Sequence, residues 1–223
     1  MDKEFIIDKL SRAEGQGAMT KLDRDIVVRT ALGLLNEVGV EGLTTRRLAE
    51  RLKVQQPALY WHFPNKRALL DALAEAMLAQ NHDRATPSPG EDWRGFLRDN
   101  ARSFRKALLA YRDGARIHAG TRPSTPQSGA VEAQIRLLCE AGFNPKDAAR
   151  ALAGISHYVV GAVIEQQASA TDMAERDDAG PGSDGPSPFL QDLFREVERE
   201  GADTAFDYGL ESFISGLERR LTA

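Results

Sequence analysis

The stretch LTTRRLAERLKVQQPALYWHFPNKRALLDALAEAML, residues 43–78, contains the pattern that decides the fold. Thr44 or Thr45 can cap a short helix that turns its apolar residues inward. A tight turn at 53–55 then leads to the segment QPALYWH, in which Pro57 occupies the first turn of a helix, where proline is tolerated. A capped helix, a short turn and a second brief helix are typical of a helix-turn-helix.

The second helix, QPALYWH at 56–62, has more aromatic and amide surface than a solvated helix needs. Leu59 can face the core, which leaves six residues for another partner: Gln56, Pro57, Ala58, Tyr60, Trp61 and His62. Glutamine can pair with adenine in the major groove, and apolar groups can contact thymine methyls. In the alternative interpretation the aromatic residues are buried in a core, but so short a helix cannot turn all of them inward. The sequence therefore predicts a reader of double-stranded DNA.

Charge is distributed unevenly along the chain. Residues 19–67 contain nine Lys and Arg residues against five Asp and Glu residues, whereas the whole chain has a formal net charge of −4. A basic N-terminal segment on an acidic body indicates a polyanion partner at one end. Thr45, Tyr60 and Lys66 are placed to donate to phosphates, which position a protein on DNA without reading its sequence.

The rest of the 223-residue chain has helical periodicity and no convincing strand alternation. Helices are predicted at five ranges, followed by two final helices: 22–39, 65–78, 93–112, 128–141 and 146–167. The predicted fold is all-α, with an N-terminal three-helix DNA-binding head linked by a long helix to a C-terminal helical ligand-binding and dimerisation body. The predicted parts are an N-terminal extension at 1–19, the head at 20–66 and the body at 67–223. Within the body, the Gly- and Pro-rich stretch at 168–188 is predicted to be a mobile loop.

The composition excludes several classes of protein. The single cysteine, Cys139, leaves no intrachain disulfide and no multi-cysteine metal site, and it suits a reducing compartment. No apolar run approaches the roughly 18 residues of a membrane span, and the charged N-terminus is not a secretory signal. We therefore expect a cytoplasmic protein without a membrane partner.

Three polar features lie on otherwise apolar helical surface in the body. One stripe places Asn100 between Phe96 and Phe104, at a spacing of four residues on each side. The second feature is a set on one side of the helix at 146–167, formed by His157, Gly161 and Glu165. The third is His118, a lone histidine in the segment RIHAGTRP. Each alone is best explained by a satisfied hydrogen bond in the core, whereas together they have the composition of a small-molecule pocket.

The last helix offers a surface for a second copy of the chain. Two glycines lie beside apolar residues, so that another helix could approach closely: Gly209 and Gly216 with Leu210, Phe213, Ile214 and Leu217. Together with the helix at 146–167 this predicts the seam of a homodimer, and simple intrachain packing is the alternative. A dimer suits a major-groove reader, since two heads about 34–36 Å apart match successive turns of DNA.

Three stretches carry a resemblance to a known family. The stretch at 43–78 resembles the DNA-binding head of the tetracycline-repressor family, and WRGFLRDNARSFRKALLAYRDGARIHAGTRP at 93–123 and LESFISGLERRL at 210–221 resemble its body. The resemblance covers residues 20–221. It implies a bacterial homodimer that represses transcription at a palindromic operator and leaves it when a tetracycline binds, which derepresses a resistance gene.

On this resemblance, Arg46 and Gln56 would read bases, and Pro57 and Tyr60 would pack on a thymine methyl or a sugar. Four residues would contact the DNA backbone: Thr45, Trp61, His62 and Lys66. Ala58 departs from the family pattern, which has threonine there, so the operator can differ at one base pair.

The resemblance also implies a drug site in the body. Four residues would hold the polar ring of a tetracycline: His82, Asn100, Phe104 and Gln134. Val131, Ala149 and Leu152 would line the apolar side, and Arg122 and Pro123 would belong to the segment that moves.

The same resemblance implies Mg²⁺ that arrives with the drug. His118 would bind this ion directly, and Thr121 and Glu165 would hold it through water, with Glu165 supplied by the partner subunit. Binding through water suits a hard cation that gives up its water reluctantly.

Two other interpretations remain open. The same fold could sense a different planar polyketide or drug. A metal-dependent hydrolase or monooxygenase using His118, His157 and Glu165 is the alternative from another class. The sequence contains no nucleophile–base pair, Gly-rich phosphate loop or dinucleotide fingerprint, so we expect no enzymatic activity.

Overall fold

The computed structural model describes residues 22–121, 125–176 and 187–222. These residues form nine helices and no strand, which confirms the all-α fold. The helices are α1 Arg24–Gly42, α2 Thr45–Leu52, α3 Pro57–Tyr60, α4 Lys66–Asn81, α5 Trp93–Leu109, α6 Gly114–His118, α7 Thr125–Glu140, α8 Pro145–Arg176 and α9 Pro188–Leu221. Within these ranges no helix is both long and apolar enough to cross a membrane. The predicted extension at 1–19 lies outside the described residues.

The N-terminal head consists of α1 to α3 packed on α4. Side chains cap its helices: Thr44, one of the two caps predicted for α2, accepts a hydrogen bond from the Arg47 N–H, and Asn65 accepts one from the Ala68 N–H at the start of α4. The apolar faces of the four helices meet in one core, whose fully buried members include Leu35, Leu48 and Leu73. The helix-turn-helix therefore stands on its own hydrophobic core.

The recognition helix α3 is shorter than the predicted helix at 56–62, because it spans only Pro57–Tyr60. The N–H groups of His62 and Phe63 both bond to the Leu59 carbonyl, so the chain closes one more turn and stops. Phe63 is buried in the core of the head, and this packing accounts for the early end. Proline at 64 also disfavours helical geometry at residue 63.

The body packs α5, α7, α8 and α9 around a second core, with Phe96, Leu97, Leu138, Val159 and Leu210 fully buried. Arginines spaced one turn apart on α5 pair with carboxylates on α9. The pairs are Arg94 with Glu218, Arg98 with Glu211, Arg102 with Asp207, and Arg105 with Asp203. This ladder aligns the last helix along α5.

The predicted loop at 168–188 is wrong in its first part, because α8 continues as helix through Arg176. Residues 168–176 contain alanine, glutamate, methionine and arginine, which favour helix, whereas glycine and proline are concentrated from residue 180 onward. Residues 177–186 lie outside the described residues. The two predicted final helices correspond to the two parts of α9, which is interrupted at Gly201 (φ 83°, ψ 161°).

The short helix α6 joins the two cores. Ala115 is buried in the core of the body, while Ile117 is buried in the core of the head. Just before α6, the Asp113 carboxylate accepts a hydrogen bond from the Val40 N–H at 2.8 Å, beside the kink at Gly39 in α1. A displacement of α6 would therefore also displace residues of the head that contact it.

Candidate nucleic-acid interface and ligand cavity

The aromatic residues that follow Leu59 point into solvent. Trp61 is 89% exposed and Tyr60 is 48% exposed, whereas Leu59 is buried in the core of the head. Gln56 and Pro57 are exposed as well, and Ala58 and His62 are half-buried. The alternative of a core helix with buried aromatics is therefore wrong. Large exposed aromatics on a short helix are expected of a surface that a partner covers.

The first turns of α2 and α3 are held against each other. The Gln56 side chain donates from Nε2 to Thr45 Oγ1 at 2.8 Å, which ties the start of the recognition helix to the start of α2. Arg46, next to Thr45, is paired with Glu50 at 3.0 Å on the exposed face of α2. Exposed ion pairs contribute little, so Arg46 can exchange this carboxylate for another acceptor. Lys66 is exposed at the start of α4.

The body encloses a cavity of about 600 Å³ between α4, α5, α6, α7 and α8. Eight residues predicted for the drug and metal site line it: His82, Asn100, Phe104, His118, Val131, Gln134, Ala149 and Leu152. The wall is mainly apolar, with a few amide and imidazole groups. This combination of size and lining is typical of a site for a small organic molecule.

His118, the last residue of α6, presents a neutral imidazole to this cavity. Its ring meets Phe104 edge to face, with 5.0 Å between ring centroids. Burial lowers the pKa of His118, and Nδ1 is buried with no hydrogen-bond partner among the described residues. A neutral imidazole with an unused nitrogen is the form in which histidine binds a metal ion.

The amide groups of the cavity hold the chain segment that follows α4. Asn100 Nδ2 donates to the Arg84 carbonyl at 2.8 Å, and Gln134 Nε2 donates to the Ala85 carbonyl at 2.6 Å. Burial lowers the pKa of His82 to about 4, against the opposing charge of Asp83. The two imidazoles of the wall, His82 and His118, are therefore neutral at neutral pH.

Other predicted site residues lie away from the cavity of their own chain. Thr121 closes the turn after α6, where its Oγ1 donates to the His118 carbonyl at 2.7 Å. Glu165 and His157 are exposed on α8 and do not line the cavity. Arg122 and Pro123 lie outside the described residues. In the described part of the chain no three His, Cys, Asp or Glu side chains are grouped so that they could hold a metal ion.

Several wall residues were not predicted from the sequence. The polar ones are Glu75 on α4, Thr86 in the segment after α4, and Ser156 on α8. Ser156 could have been found, because it lies four residues after Leu152 on the same face of a helix. Thr86 could not, because no periodicity operates in a Pro- and Gly-rich connection.

Two family models match different parts of the chain. Residues 27–73 match the family model described as bacterial regulatory proteins, tetR family, and residues 86–221 match the tetracyclin repressor-like C-terminal domain. The class G tetracycline repressor protein of Vibrio anguillarum is 62% identical over 201 residues, which cover 90% of this chain and 96% of that protein. The class C protein of Escherichia coli is 62% identical over 207 residues, covering 92% and 94%.

Solved structures show the same likeness. A TetR variant from Acinetobacter baumannii AYE in complex with minocycline has a TM-score of 0.79 and 58% identity, covering 91% of this chain and 96% of that one. A class A TetR in complex with 5a,6-anhydrotetracycline and magnesium has a TM-score of 0.71 and 55% identity, covering 89% and 99%. The chain therefore belongs to the tetracycline-repressor (TetR) family of bacterial regulatory proteins and is a helix-turn-helix transcriptional repressor.

Proposed function

We propose that this repressor, in the bacterial cytoplasm, releases its operator when it binds a tetracycline together with Mg²⁺. The observation that carries the proposal is the cavity, in which five predicted contacts converge from three helices and the C-cap of α4: His82, Asn100, Phe104, His118 and Gln134. Relatives at about 60% identity are tetracycline repressors, and a similar solved structure holds anhydrotetracycline and magnesium. The protein then acts by binding and not by catalysis.

The DNA contacts are assigned to the exposed side of the head. Arg46 and Gln56 would read base edges, and Pro57, Ala58 and Tyr60 would pack on thymine methyls or sugars. Thr45, Trp61, His62 and Lys66 would contact the DNA backbone, which sets the register.

Dimerisation would place two heads on successive turns of DNA. Large apolar side chains are exposed on the first part of α9: Phe189, Leu190, Leu193, Phe194 and Val197. So much apolar surface on one helix face indicates a partner, and a second copy of the chain is the partner that a palindromic operator requires.

The site suits Mg²⁺ only in the presence of the drug. His118 supplies one neutral nitrogen, and a hard cation of this kind prefers about six oxygen ligands, which the chain alone does not provide here. The drug's oxygens would complete the set, with Thr121 and the partner subunit's Glu165 acting through water. When bound, the ion would bring positive charge to the wall formed by His118 and so favour an anionic chelating ligand.

The position of His118 on α6 couples ligand binding in the cavity to the conformation of the head. His118 lines the cavity, and the preceding residue, Ile117, is buried in the core of the head. Arg67 at the start of α4 donates to the Gly120 carbonyl at 2.7 Å, so the turn after α6 also touches the helix that carries the head. A ligand that shifts α6 would therefore move the head; a swing from 1:99 to 99:1 requires ~5.5 kcal/mol of preference for the released state.

A gel-shift assay on a tetracycline-type operator, with and without anhydrotetracycline and Mg²⁺, tests the proposal. We expect retention of the operator without drug and release with drug and metal. His118→Ala should bind the operator normally and require much more drug for release, whereas the exposed control Arg136→Ala on α7 should respond like the wild type.

Two results would contradict specific parts of this proposal. Loss of both operator binding and release in His118→Ala would make the residue structural. A thermal-shift titration with tetracycline that shows no stabilisation, or the same stabilisation with EDTA, would favour a different inducer for the same fold.

A further inference from the structure

A buried serine that no predicted role includes lies behind the polar end of the cavity. Ser103, on α5, is 6% exposed and is one of only two buried polar or charged residues in the described part of the chain. Its hydroxyl lies 2.9 Å from His82 Nδ1 and donates to the Asp83 carboxylate at 2.7 Å. It also accepts from the Arg84 N–H at 3.2 Å.

The hydrogen bonds of Ser103 determine which nitrogen of His82 carries the proton. A hydroxyl has one hydrogen to donate, and a carboxylate can only accept, so the single Ser103 hydrogen belongs to Asp83. The contact between Ser103 and His82 then requires Nδ1–H of the imidazole as the donor. With the Arg84 N–H as the second donor, both lone pairs of the Ser103 oxygen are used.

The second nitrogen of His82 is consequently an acceptor. Burial keeps the ring neutral at pH 7, so a proton on Nδ1 leaves Nε2 bare. Among the residues that the structure describes, Nε2 has one hydrogen-bond contact, with Asn100 Nδ2 at 3.4 Å, and Asn100 already donates to the Arg84 carbonyl at the shorter distance of 2.8 Å. Both His82 and Asn100 line the cavity, so a ligand can replace this long contact.

We propose that Ser103 and Asp83 are positioning residues that fix the His82 proton on Nδ1 and leave the Nε2 lone pair for the ligand. The part of the ligand next to His82 must then offer a hydrogen-bond donor, such as a hydroxyl or an amide N–H. An anionic oxygen at this point would face a lone pair and be disfavoured. The role in drug binding rests on the proposed function, but the position of the proton does not.

The tautomer can be measured directly by ¹⁵N NMR of the histidine rings in the drug-free, full-length dimer. We expect the proton on Nδ1 of His82 in the wild type. In Asp83→Ala, the Ser103 hydroxyl loses its acceptor and can donate to His82, so the proton should move to Nε2. Asp83→Asn keeps an acceptor oxygen and should retain the wild-type tautomer.

The affinity for Mg²⁺–tetracycline, titrated by fluorescence on the same proteins, tests the positioning role. Asp83→Ala should bind about tenfold more weakly, by analogy with the loss seen when the partner that orients a metal-binding histidine is removed. Asp83→Asn should restore the affinity. Asp99→Ala removes an exposed carboxylate near the same end of the cavity, has no bond to Ser103, and serves as the matched control with neither change.

The hydrogen-bonded chain from Asp83 through Ser103 to His82 is called the relay. A wild-type proton on Nε2, or an unchanged tautomer in Asp83→Ala, would overturn it. A shifted tautomer with unchanged tetracycline affinity would overturn its role in binding. If the wild type itself fails to bind tetracycline, the proposed inducer is wrong, while the NMR result still decides the tautomer.

Discussion

At residue 53 the backbone adopts a left-handed conformation (φ 55°, ψ 39°), which costs a residue with a side chain about 1–2 kcal/mol. Lys53 is the C-cap of α2, and its N–H closes the helix against the carbonyls of Ala49 and Glu50. The turn of the helix-turn-helix therefore needs this conformation, although the sequence supplies no glycine for it. The local cost is tolerated because the helices on either side are fixed by the core of the head.

Replacing Lys53 by glycine should stabilise the head. We expect Lys53→Gly to raise the free energy of unfolding by up to about 1 kcal/mol, since glycine adopts positive φ without the penalty but gains more entropy on unfolding. Thermal denaturation at fixed protein concentration measures the change. Lys53→Ala removes the same charge and keeps the strain, so equal stabilisation by alanine would show that the backbone is not the cause.

The buried imidazole of His82 should make the fold sensitive to acid. Its pKa is lowered to about 4 by burial, while the unfolded chain has a histidine pKa of about 6.5. Between these two pH values the unfolded state binds a proton that the folded state does not. The contribution of the neutral His82 imidazole to the free energy of unfolding is therefore fully present above about pH 6.5 and is lost as the pH falls toward 4.

Denaturant unfolding at several pH values between 7.5 and 4.5 measures this contribution. We expect the slope of stability against pH to be smaller in His82→Gln than in the wild type. Gln134→Ala removes a non-titrating side chain from the same cavity wall and is the control that should keep the wild-type slope. An unchanged slope in His82→Gln would contradict the assignment.

Helix α1 contains two glycines whose roles are opposite. A Cβ added at Gly33 would meet nothing within 4 Å, whereas at Gly39 it would lie 2.9 Å from the Asp113 carboxylate. Gly39 also has φ 70° and ψ 177°, a region that is essentially restricted to glycine. Gly33 is thus a dispensable residue on an exposed helix face, whereas Gly39 forms the kink at which Asp113 contacts α1.

Alanine substitutions at these two sites should change stability in opposite directions. Gly33→Ala should raise the free energy of unfolding by about 1 kcal/mol through helix propensity. Gly39→Ala should lower it by about 1–3 kcal/mol through backbone strain, in addition to the clash with Asp113. Urea denaturation measures both, and a stabilising Gly39→Ala would refute the importance of the kink.

Helices were predicted from the sequence more reliably than their ends. Caps such as Thr44 and Asn65 and stops such as Gly142 act through neighbouring residues, so local pattern locates them. The extension of α8 to Arg176 was missed because residues 168–176, which favour helix, were grouped with the Gly- and Pro-rich residues that follow them. The shortness of α3 depends on how Phe63 packs into the core of the head, which is not visible in local periodicity.

Part of the cavity wall was predicted from the sequence, but not the arrangement of its residues. Resemblance indicated His82, Asn100 and Gln134, and the structure places all three on one cavity. The relay through Ser103 was not predicted, because it brings together residues 20 positions apart on different segments. Hydrogen bonds of this kind depend on how α5 packs against the end of α4, so only the folded chain reveals them.

At the scale of the whole molecule, the two heads must be held at a fixed spacing by the body. The predicted seam involves α8 and the end of α9, and the structure distinguishes the two glycines assigned to it. A Cβ at Gly209 would lie 2.3 Å from the Tyr158 hydroxyl, so this glycine is required for packing within one chain. Gly216 has nothing within 4 Å of an added Cβ and lines a groove of about 480 Å³ with Phe213 and Leu217. Gly216 is therefore the position at which a second copy could approach.

Gly216→Glu tests this seam without disturbing the isolated chain. The added carboxylate has room in one chain but would be buried against the partner, so we expect the dimer to dissociate at least about tenfold more readily, because burying an unpaired charge is costly. Analytical ultracentrifugation measures the dissociation, and operator affinity should fall with it, since one head reaches only one half-site. Gly33→Glu introduces the same charge on an exposed helix face with equal room and should leave the dimer intact. A Gly216→Glu protein that stays dimeric at the wild-type dissociation constant would place the seam on another face of α8 and α9.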